Sequence, residues 1–364
     1  MRTSILLWGA SLLAVPALLG QRQTPARLTN AAIVATRPVA APACASATGL
    51  ARVVCLAEAF KATLSPSQLA EAQRPYSKED AARWSNFPQQ FSRPRRVGIA
   101  LGALTAPQLA AAKALLASVT ATDAPNEGFD ELQGLLALDD SIAQFTHQTG
   151  AFGAGNYYLA LLGTPSLGGR WELQYGGHHY AFATTYQGGR AVGVTPGFRG
   201  AEPVVPVRAN GHTYQPMAQE HAAFAALLHS LSAAEQGQAR LSATFNDVLL
   251  GPGQDGQFPA TRQGLRLGAL SAAQQQLALA AIRRYLGDLD PATAAPILAR
   301  YTAELPATYL AFGGSPTLNG ESDYVRLDGP SLWLEYSSQP GRDFPGTVHP
   351  HSVWRDRTTD YGGQ

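Results

Sequence analysis

Charged residues are scarce in this chain of 364 residues. They make up 15% of the sequence, and 27 basic and 26 acidic residues leave a formal net charge of +1. The longest block of like charge is Arg93-Pro-Arg-Arg96. Proteins that bind nucleic acid or an anionic membrane surface by bulk electrostatics normally carry a basic patch or stripe. The composition therefore argues against both kinds of partner.

Several motifs of familiar enzyme classes are also missing. The chain has no Gly-x-Ser-x-Gly elbow, no His-Glu-x-x-His helix and no phosphate-binding loop. Residues 251–256 (GPGQDG) match the glycine pattern of dinucleotide-binding proteins, but Phe258-Pro259 follows where a helix should begin. We interpret this segment as a tight turn.

Cysteine is nearly absent, since only Cys44 and Cys55 occur. On one continuous helix they would lie about 16 Å apart, which is too far for a disulfide. Residues 45–49 (ASATG) can form a turn that brings Cys44 back onto a helix carrying Cys55. We predict a structural disulfide that stabilises the fold by about 3 kcal/mol, because this spacing does not suit a redox-active or metal-binding pair.

The N-terminus combines a short basic start with an apolar run from Ile5 to Leu19. A run of about fifteen residues is typical of a secretory signal, whereas a membrane span needs about twenty. We predict a signal peptide over residues 1–20, export to the periplasm or the extracellular space, and no stable membrane span after processing. An uncleaved anchor is the alternative. Residues 21–43 are rich in Ala, Pro and Thr and are predicted to form a flexible lead-in.

The second half of the chain repeats much of the first. Residues 98–108 (GIALGALTAPQ) recur as residues 264–274 (GLRLGALSAAQ), and residues 158–166 (YLALLGTPS) recur as residues 309–317 (YLAFGGSPT). We therefore predict an internal duplication, with a first half over residues 44–210 and a second half over residues 211–364. Approximate twofold symmetry should relate the two halves.

Each half shows helix signals first and strand signals later. One helix-start motif occurs four times: Leu, then Ser or Thr, then Gln or Glu three positions further on. The hydroxyl and the later side chain can form a capping box, and the Leu can form a hydrophobic staple. We predict an α+β fold in which each half is a helical segment followed by antiparallel β-hairpins, while the joining of their strands into one sheet is left open. The motifs begin at Leu64, Leu104, Leu231 and Leu270, and the predicted strands are residues 157–162, 171–175, 178–186, 191–195, 309–312, 324–327, 332–336 and 352–355.

Four histidines are the main candidates for a functional site. Adjacent His178 and His179 on a strand would point to opposite faces, whereas His349 and His351, two positions apart, would project on the same side. Neutral imidazoles suit zinc, copper or iron. Because a pseudo-twofold axis would bring equivalent hairpins together, we predict a metal site formed by His178 or His179 with His349 and His351. The simpler alternative is exposed loop histidines at residues 345–350 and a hydrogen-bonded core histidine.

Two acidic residues are candidates to complete this site. Glu335 lies in the apolar run 332–336 (LWLEY), where an ionised carboxylate needs a partner. It is predicted to be a metal ligand, a catalytic general base, or half of a buried ion pair with Arg355 or Arg170. Asp360 is predicted to be a third ligand or an acceptor that orients an imidazole, or else part of a turn that closes the sheet. A metal-dependent hydrolase is the simplest activity, and oxidative chemistry with copper or iron stays open.

The second hypothesis is a non-catalytic binding protein for a small molecule, a peptide or a carbohydrate. Arg83 beside Trp84 can bind a carboxylate or a sugar, although a loop anchored by a buried Trp is the simpler interpretation. Trp171 and Tyr180 would extend this binding face. Arg355 is a further candidate for contact with a substrate.

Several segments also carry a family resemblance: residues 157–165, Gly177-His-His179, and residues 195–203, 250–256, 339–341, 349–355 and 360–362. They resemble the bacterial and fungal domain-of-unknown-function 3500 family, from about Ala57 to the C-terminus. The resemblance implies export, because members commonly carry signal peptides, and it implies no activity. Family members tend to have His where this chain has Ser338 and Asn where it has Ala183, so two potential ligands or substrate contacts are lost.

Overall fold

The α+β class is borne out by the computed structural model, which describes residues 27–363. The predicted signal peptide lies outside the described residues. The α-helices of the described part are Asn30–Ala35 (α1), Gly49–Ala62 (α2), Pro66–Ala72 (α3), Lys78–Ala81 (α4), Ala106–Ala117 (α5), Gly128–Thr146 (α6), Ala218–His229 (α7), Ala233–Ala239 (α8), Ala272–Leu286 (α9) and Pro291–Glu304 (α10).

Most predicted strands lie within two residues of their expected bounds, but the strand predicted over residues 332–336 continues to Pro340, and two differences at the histidines are described below. Six short strands were not predicted: residues 73–74, 99–100, 197–200, 207–209, 212–214 and 265–266. The strands of residues 27–363 are Gln73–Arg74 (β1), Ile99–Ala100 (β2), Tyr158–Gly163 (β3), Trp171–Gly177 (β4), Tyr180–Gln187 (β5), Arg190–Gly193 (β6), Gly197–Gly200 (β7), Val207–Ala209 (β8), His212–Tyr214 (β9), Leu265–Arg266 (β10), Tyr309–Gly313 (β11), Tyr324–Asp328 (β12), Leu332–Pro340 (β13) and Val348–Asp356 (β14).

The four predicted helix starts are confirmed. In each, the Ser or Thr of the motif is the N-cap residue, and the Gln or Glu three positions later completes a capping box. These four N-cap residues precede α3, α5, α8 and α9. These helix starts could be predicted from the sequence because a capping box depends only on hydrogen bonds between residues three positions apart.

β8 and β9 pair in a separate two-stranded sheet, and the other strands of residues 27–363, from both halves, join in one twelve-stranded sheet. Its strand order is β1-β3-β4-β5-β7-β14-β13-β12-β11-β10, with β2 paired to β3 and β6 paired to β5. The halves meet where β14 runs antiparallel to β7, with His351 opposite Gly200 and Val353 opposite Phe198. The central pair therefore consists of one strand from each half, β7 near the middle of the sequence and β14 near its C-terminal end.

The two faces of this sheet are covered differently. Along β3, Leu159 and Leu161 pack into the helix-covered core of the first half, whereas Ala160 and Leu162 pack with Phe198 on the opposite face. This alternation follows from the period of two along a strand. The second face, which we call the loop face, is covered by two segments without strands, residues 82–98 and residues 241–264. Both segments approach the histidines.

Corresponding elements occur in the same order in both halves. β2 pairs antiparallel with β3, and β10 pairs antiparallel with β11. Each short strand follows a glycine with positive φ, +98° at Gly98 and +104° at Gly264, where a Cβ would collide with the backbone of the paired strand. The internal duplication and its twofold symmetry remain predictions that this order of elements favours.

Cys44 and Cys55 form the predicted disulfide, with Cα atoms 5.7 Å apart. Cys44 ends a short 3₁₀ helix, and the chain turns back to begin α2 at Gly49, which has a φ of +51°. The turn brings the cysteines together, as the spacing argument required. None of the helices in residues 27–363 is long and apolar enough to cross a bilayer.

The prediction of a flexible lead-in over residues 21–43 is wrong for part of the segment that the structure describes. Residues 21–26 lie outside the described part, but residues 30–35 form α1 rather than a flexible tail. Ile33 and Val34 of this helix are buried in the core. The buried ammonium of Lys113 donates to the carbonyl oxygens of Ile33 (2.7 Å) and Thr36 (2.8 Å). A short Ala-rich segment is ordered here because tertiary contacts replace the stability that it lacks alone.

Candidate metal centre

Two of the candidate histidines lie on the central strand β14. This strand begins at Val348, four residues before the predicted start, so that His349 and His351 are part of it rather than of an exposed loop. Both side chains are 7% exposed. Their spacing of two places them on the same face of the sheet, as predicted, and this is the loop face because Val353 follows with the same alternation.

The other two histidines form the tight turn between β4 and β5, not the start of a strand. Gly177 pairs with Tyr180, so that His178 and His179 are the two turn residues. His179 has a φ of +60°. The expectation that adjacent side chains point to opposite faces holds only for extended backbone, and the left-handed residue instead brings the two rings into a stack with centroids 3.7 Å apart.

The turn and β14 bring three imidazoles together. His179, His349 and His351 each offer one ligand atom, and these atoms all lie within 4.8 Å of one another. Ring centroids are 4.8 Å apart for His349 and His351, and 5.2 Å apart for His179 and His351. His178 lies behind this group, with its ring stacked on that of His179.

Gly200 makes the approach of the imidazoles sterically feasible. It lies opposite His351 on β7, and its backbone N–H donates to the carbonyl oxygen of His179 at 2.7 Å. A Cβ at this position would lie 3.0 Å from Cδ2 of His351 and 3.1 Å from Cδ2 of His179. A side chain here would therefore require both imidazole rings to shift by some tenths of an ångström.

Carboxylates flank the imidazoles. Nδ1 of His351 lies 2.9 Å from Oδ1 of Asp247, and Nδ1 of His178 lies 2.7 Å from Oδ1 of Asp139. Nδ1 of His349 is 3.5 Å from Glu202, which is longer than a strong hydrogen bond. Acceptors of this kind fix the tautomer and the orientation of metal-binding imidazoles.

Burial keeps two of the imidazoles neutral. It lowers the pKa of His179 well below the usual range, and the neighbouring imidazoles add to the effect. Burial and His351 lower the pKa of His349 to about 3. For Asp247, burial alone would raise the pKa, but the hydrogen bond and the charge of His351 bring it below its ordinary value. The site therefore offers two neutral imidazoles, those of His179 and His349, close to the carboxylate of Asp247.

Two imidazole nitrogens in this group lack a hydrogen-bond partner within residues 27–363. They are Nδ1 of His349 and Nε2 of His351, and both are buried. A buried polar atom without a partner costs about 1–3 kcal/mol. His351 is the clearer case, because Asp247 holds its Nδ1 and leaves Nε2 as the free donor atom.

Glu335 lies on the loop face but is engaged elsewhere. Its carboxylate accepts hydrogen bonds from the backbone N–H groups of Leu249 (2.7 Å) and Leu250 (2.9 Å). It also accepts from Tyr324 Oη (2.6 Å) and Trp333 Nε1 (2.7 Å). Burial raises its pKa, and these four donors oppose the rise. Within the described residues it forms no ion pair with Arg355 or Arg170.

Asp360 and Arg355 belong to one buried network outside the group of three histidines. Nη1 of Arg355 donates to Asp255 (2.8 Å) and Asp360 (3.1 Å). Oδ1 of Asp360 also accepts from the backbone N–H of Asp356 at 2.9 Å. Asp360 thus closes a turn after β14, which is the simpler of its two predicted roles.

The aromatic candidates for a binding face are buried. Nε1 of Trp84 donates to Tyr361 Oη at 2.9 Å, and Trp171 stacks on Tyr186. Trp84, Trp171 and Tyr180 are at most 7% exposed, so they present no face to a carbohydrate or peptide. Arg83 is held by Asp80 and by the carbonyl oxygen of Arg95. Trp84 therefore anchors a loop, as its simpler interpretation proposed.

Exposed apolar side chains lie instead on the segments that contact the histidines. Of the seven large apolar side chains exposed in residues 27–363, five lie on segments that supply a contact to one of the four histidines: residues 82–98, residues 241–264, α6 and the residues around Glu202. Phe145 stacks on Phe344 with ring centroids 4.5 Å apart, and the backbone N–H of Phe344 donates to Glu202. The five are Phe87, Phe91, Phe145, Val205 and Leu249.

One protein family matches nearly the whole chain. The model for the family described as "Protein of unknown function (DUF3500)" matches residues 46–363. This chain belongs to the DUF3500 family. No curated protein and no solved structure gives a significant match. Membership confirms the resemblance without assigning an activity.

The two departures from the DUF3500 pattern lie away from the three imidazoles. Ser338 pairs with Pro350 on β14, and the alternation along the strand places it on the face opposite His349 and His351. Its hydroxyl donates to the carbonyl oxygen of Leu318. Ala183 pairs with Gln174 in the first half. Neither loss removes a member of the histidine group.

Sequence reasoning missed four residues that shape this site: Asp139, Gly200, Glu202 and Asp247. Asp139 had a usable signal, because it interrupts the apolar run of α6 and is buried there. Glu202 and Gly200 lie in residues 195–203, one of the DUF3500 segments. Asp247 had no signal, since it reaches His351 from a segment without periodicity.

Proposed function

We propose that this DUF3500 protein binds a divalent metal ion through His179, His349 and His351, and that it is a metal-dependent hydrolase. The observation that carries the proposal is the convergence of three buried imidazoles whose ligand atoms lie within 4.8 Å of one another. His179 comes from a distant part of the sequence, so local chain geometry does not explain why it meets His349 and His351. A partnerless Nε2 on His351 supports the same conclusion.

The donor set favours zinc, with copper and iron as alternatives. Tetrahedral coordination at 2.0–2.1 Å places neighbouring nitrogens about 3.3 Å apart. Small rotations of the imidazoles would bring them from the observed separations to this distance. Neutral imidazoles suit these ions, and Asp247 and Glu202 supply negative charge close to the cation.

Three protein ligands leave a fourth position open, which is typical of catalytic rather than structural zinc sites. A metal ion bound in such a site lowers the pKa of a coordinated water toward neutrality and thereby supplies a nucleophile for hydrolysis. Phe87, Phe145 and Leu249 are exposed on segments that contact the histidines and offer apolar surface near the site. We therefore expect a small molecule or peptide with an apolar part.

Metal analysis of the purified mature protein tests the proposal. We expect one zinc, copper or iron ion per chain after exposure to each metal, and a rise in melting temperature with added metal. His349→Ala and His351→Ala should each abolish stoichiometric binding. His212→Ala is the matched control, because this side chain is half-exposed and pairs with Asp130 away from the site.

The proposal has two separable parts. Wild-type protein that stays metal-free in all three metals would overturn the metal site. Protein that binds metal but shows no chelator-sensitive hydrolysis of ester, amide and phosphate substrates would overturn only the hydrolase. His178→Ala should retain metal, since its Nδ1 is bonded to Asp139 and it lies outside the group of three.

We further propose that the protein is exported and that its halves arose by duplication. The Cys44–Cys55 disulfide supports export, because such bonds persist in oxidising compartments. The matching order of elements in the two halves supports duplication. N-terminal sequencing of the mature protein tests the first proposal, with a start after Gly20 expected and a retained Met1 contradicting it. Superposition of residues 44–210 on residues 211–364 tests the second.

A further inference from the structure

Residues 241–264 cross the loop face without a strand or helix of their own, and two sheet residues hold them in place. Glu335 on β13 accepts from the N–H groups of Leu249 and Leu250. Arg355 on β14 donates from Nε to the carbonyl oxygen of Leu250 (2.7 Å) and from Nη2 to that of Gly251 (3.0 Å). Both side chains are completely buried.

The two anchors divide the backbone groups between them. A carboxylate only accepts and a guanidinium only donates, so Glu335 takes the N–H groups and Arg355 takes the carbonyl groups. With Tyr324 and Trp333 as further donors, Glu335 has four hydrogen bonds, which uses its acceptor sites. Its acceptor sites are therefore occupied by protein donors rather than by a metal ion.

The anchored backbone leads directly to the metal centre. Asp247 lies two residues before Leu249, and its Oδ1 bonds to Nδ1 of His351. The Asp247 side chain is 45% exposed, so side-chain packing does not fix it. Its position depends on the backbone that carries it, which the sheet holds from Leu249 onward.

We propose that Glu335 is a positioning residue: it fixes residues 249–250 on the sheet and so holds Asp247 against His351. Asp247 then keeps the proton of His351 on Nδ1 and directs Nε2 toward the other two imidazoles. This inference rests on the proposed metal site and adds a role for Glu335 that is neither ligand nor base. Loss of such a supporting contact typically costs 10- to 100-fold in metal affinity.

Zinc and cobalt(II) titrations of Glu335→Gln, Asp247→Asn and the double variant test this role. A Gln side chain can accept only one of the two backbone hydrogen bonds, because its amide nitrogen donates. We expect a 10- to 100-fold weaker affinity in each single variant. The double variant should be no weaker than Asp247→Asn alone, since both act on the same contact. The cobalt(II) absorption spectrum should change in the same way in all three.

Tyr324→Phe is the matched control. It removes one hydrogen bond from the same carboxylate and leaves both backbone contacts to residues 249–250 intact, so metal affinity should stay within about twofold. If Glu335→Gln does not fold, Glu335→Asp gives the same test, because it keeps the charge and shortens the reach. Unchanged affinity in a folded Glu335 variant, or multiplying effects in the double variant, overturns the positioning role.

An NMR measurement separates this inference from the proposed function. Nitrogen chemical shifts of metal-free protein should show the Nδ1-protonated tautomer at His351, and Glu335→Gln should reduce it. If the wild-type protein binds no metal but this tautomer still depends on Glu335, the positioning role stands and the metal site fails. If the wild-type protein binds metal but Glu335→Gln leaves the tautomer of His351 unchanged, the positioning role fails.

Discussion

The two segments of the loop face, residues 82–98 and residues 241–264, reach the histidines in different ways. The first is held by its own arginine: Nη2 of Arg96 donates to the carbonyl oxygens of Ser85, Phe87 and Gly177 at 2.5–2.9 Å. This segment contacts the site through its backbone, since the carbonyl oxygen of Asn86 accepts a hydrogen bond from the backbone N–H of His179 at 3.0 Å. The second is held by side chains of the sheet and contributes a carboxylate.

The difference shows a division of labour at the site. Gly177 immediately precedes the histidine turn, so Arg96 and residues 82–98 fix the backbone on which His179 stands. Residues 241–264 act on a side chain, since Asp247 orients the imidazole of His351. Residues 82–98 therefore position the backbone of the candidate ligand His179, and residues 241–264 orient the side chain of the candidate ligand His351.

The largest expected effect comes from removing the arginine that holds each segment. Arg355→Met leaves Asp255, Asp360 and two backbone carbonyl groups without their partner, and we expect a loss of about 3–5 kcal/mol in the free energy of unfolding. Arg96→Met leaves only uncharged acceptors unpaired, three backbone carbonyl groups and the side-chain amide of Gln89, and we expect about 2–3 kcal/mol. Urea unfolding in a chelator measures both. Equal losses, or a larger loss for Arg96→Met, would contradict the expectation that Arg355 stabilises the fold more than Arg96 does.

A smaller effect is expected where the two contributions meet. Gly200→Ala places a Cβ 3.0–3.1 Å from the rings of His351 and His179. We expect about 1–3 kcal/mol of destabilisation from overpacking and a measurable fall in zinc affinity, because both rings must move. Gly237→Ala, in open space on α8, is the control: it should raise stability by about 0.5–1 kcal/mol, because Ala favours a helix over Gly, and should leave zinc affinity unchanged. Wild-type affinity in Gly200→Ala would mean that the rings move freely.

An effect of similar size, seen only as a change of stability with pH, concerns the buried carboxylate of Glu172 in the first half. Glu172 has two hydrogen-bond donors, the side chains of Thr185 and Gln174, where Glu335 has four, two of them backbone N–H groups. Burial raises the pKa of Glu172 from its ordinary 4.5 to about 7, although Thr185 and Arg170 oppose the rise. Between these values the folded protein binds more protons than the unfolded chain, so stability falls as pH rises from about 4.5 to about 7.

Glu172→Gln should therefore remove a pH dependence of about 1–3 kcal/mol over this window. Urea unfolding of chelated protein at pH 5, 6, 7 and 8 checks the prediction, with the exposed Glu321→Gln as control. A variant whose stability falls with pH as steeply as that of the wild type would show that other groups cause the dependence.

Local patterns allowed much of the fold to be predicted. The four capping boxes, the α+β order and the disulfide turn depend on residues a few positions apart, and all were found as expected. The histidine turn was mistaken for a strand because the left-handed conformation of His179 has no marker in a Gly-His-His sequence. The helix α1 was missed because its stability comes from distant partners, Lys113 among them.

The candidate ligands could be chosen from the sequence, but not their surroundings. The spacing of His349 and His351 fixes their common face, because strand geometry alternates side chains whatever the fold. The arrival of His179 beside them depends on how β14 pairs with β7, and that pairing joins residues about 150 positions apart. Glu335 shows the same limit. The sequence identified it as a buried carboxylate, but its hydrogen bonds to the backbone N–H groups of Leu249 and Leu250 depend on how residues 241–264 pack on the sheet.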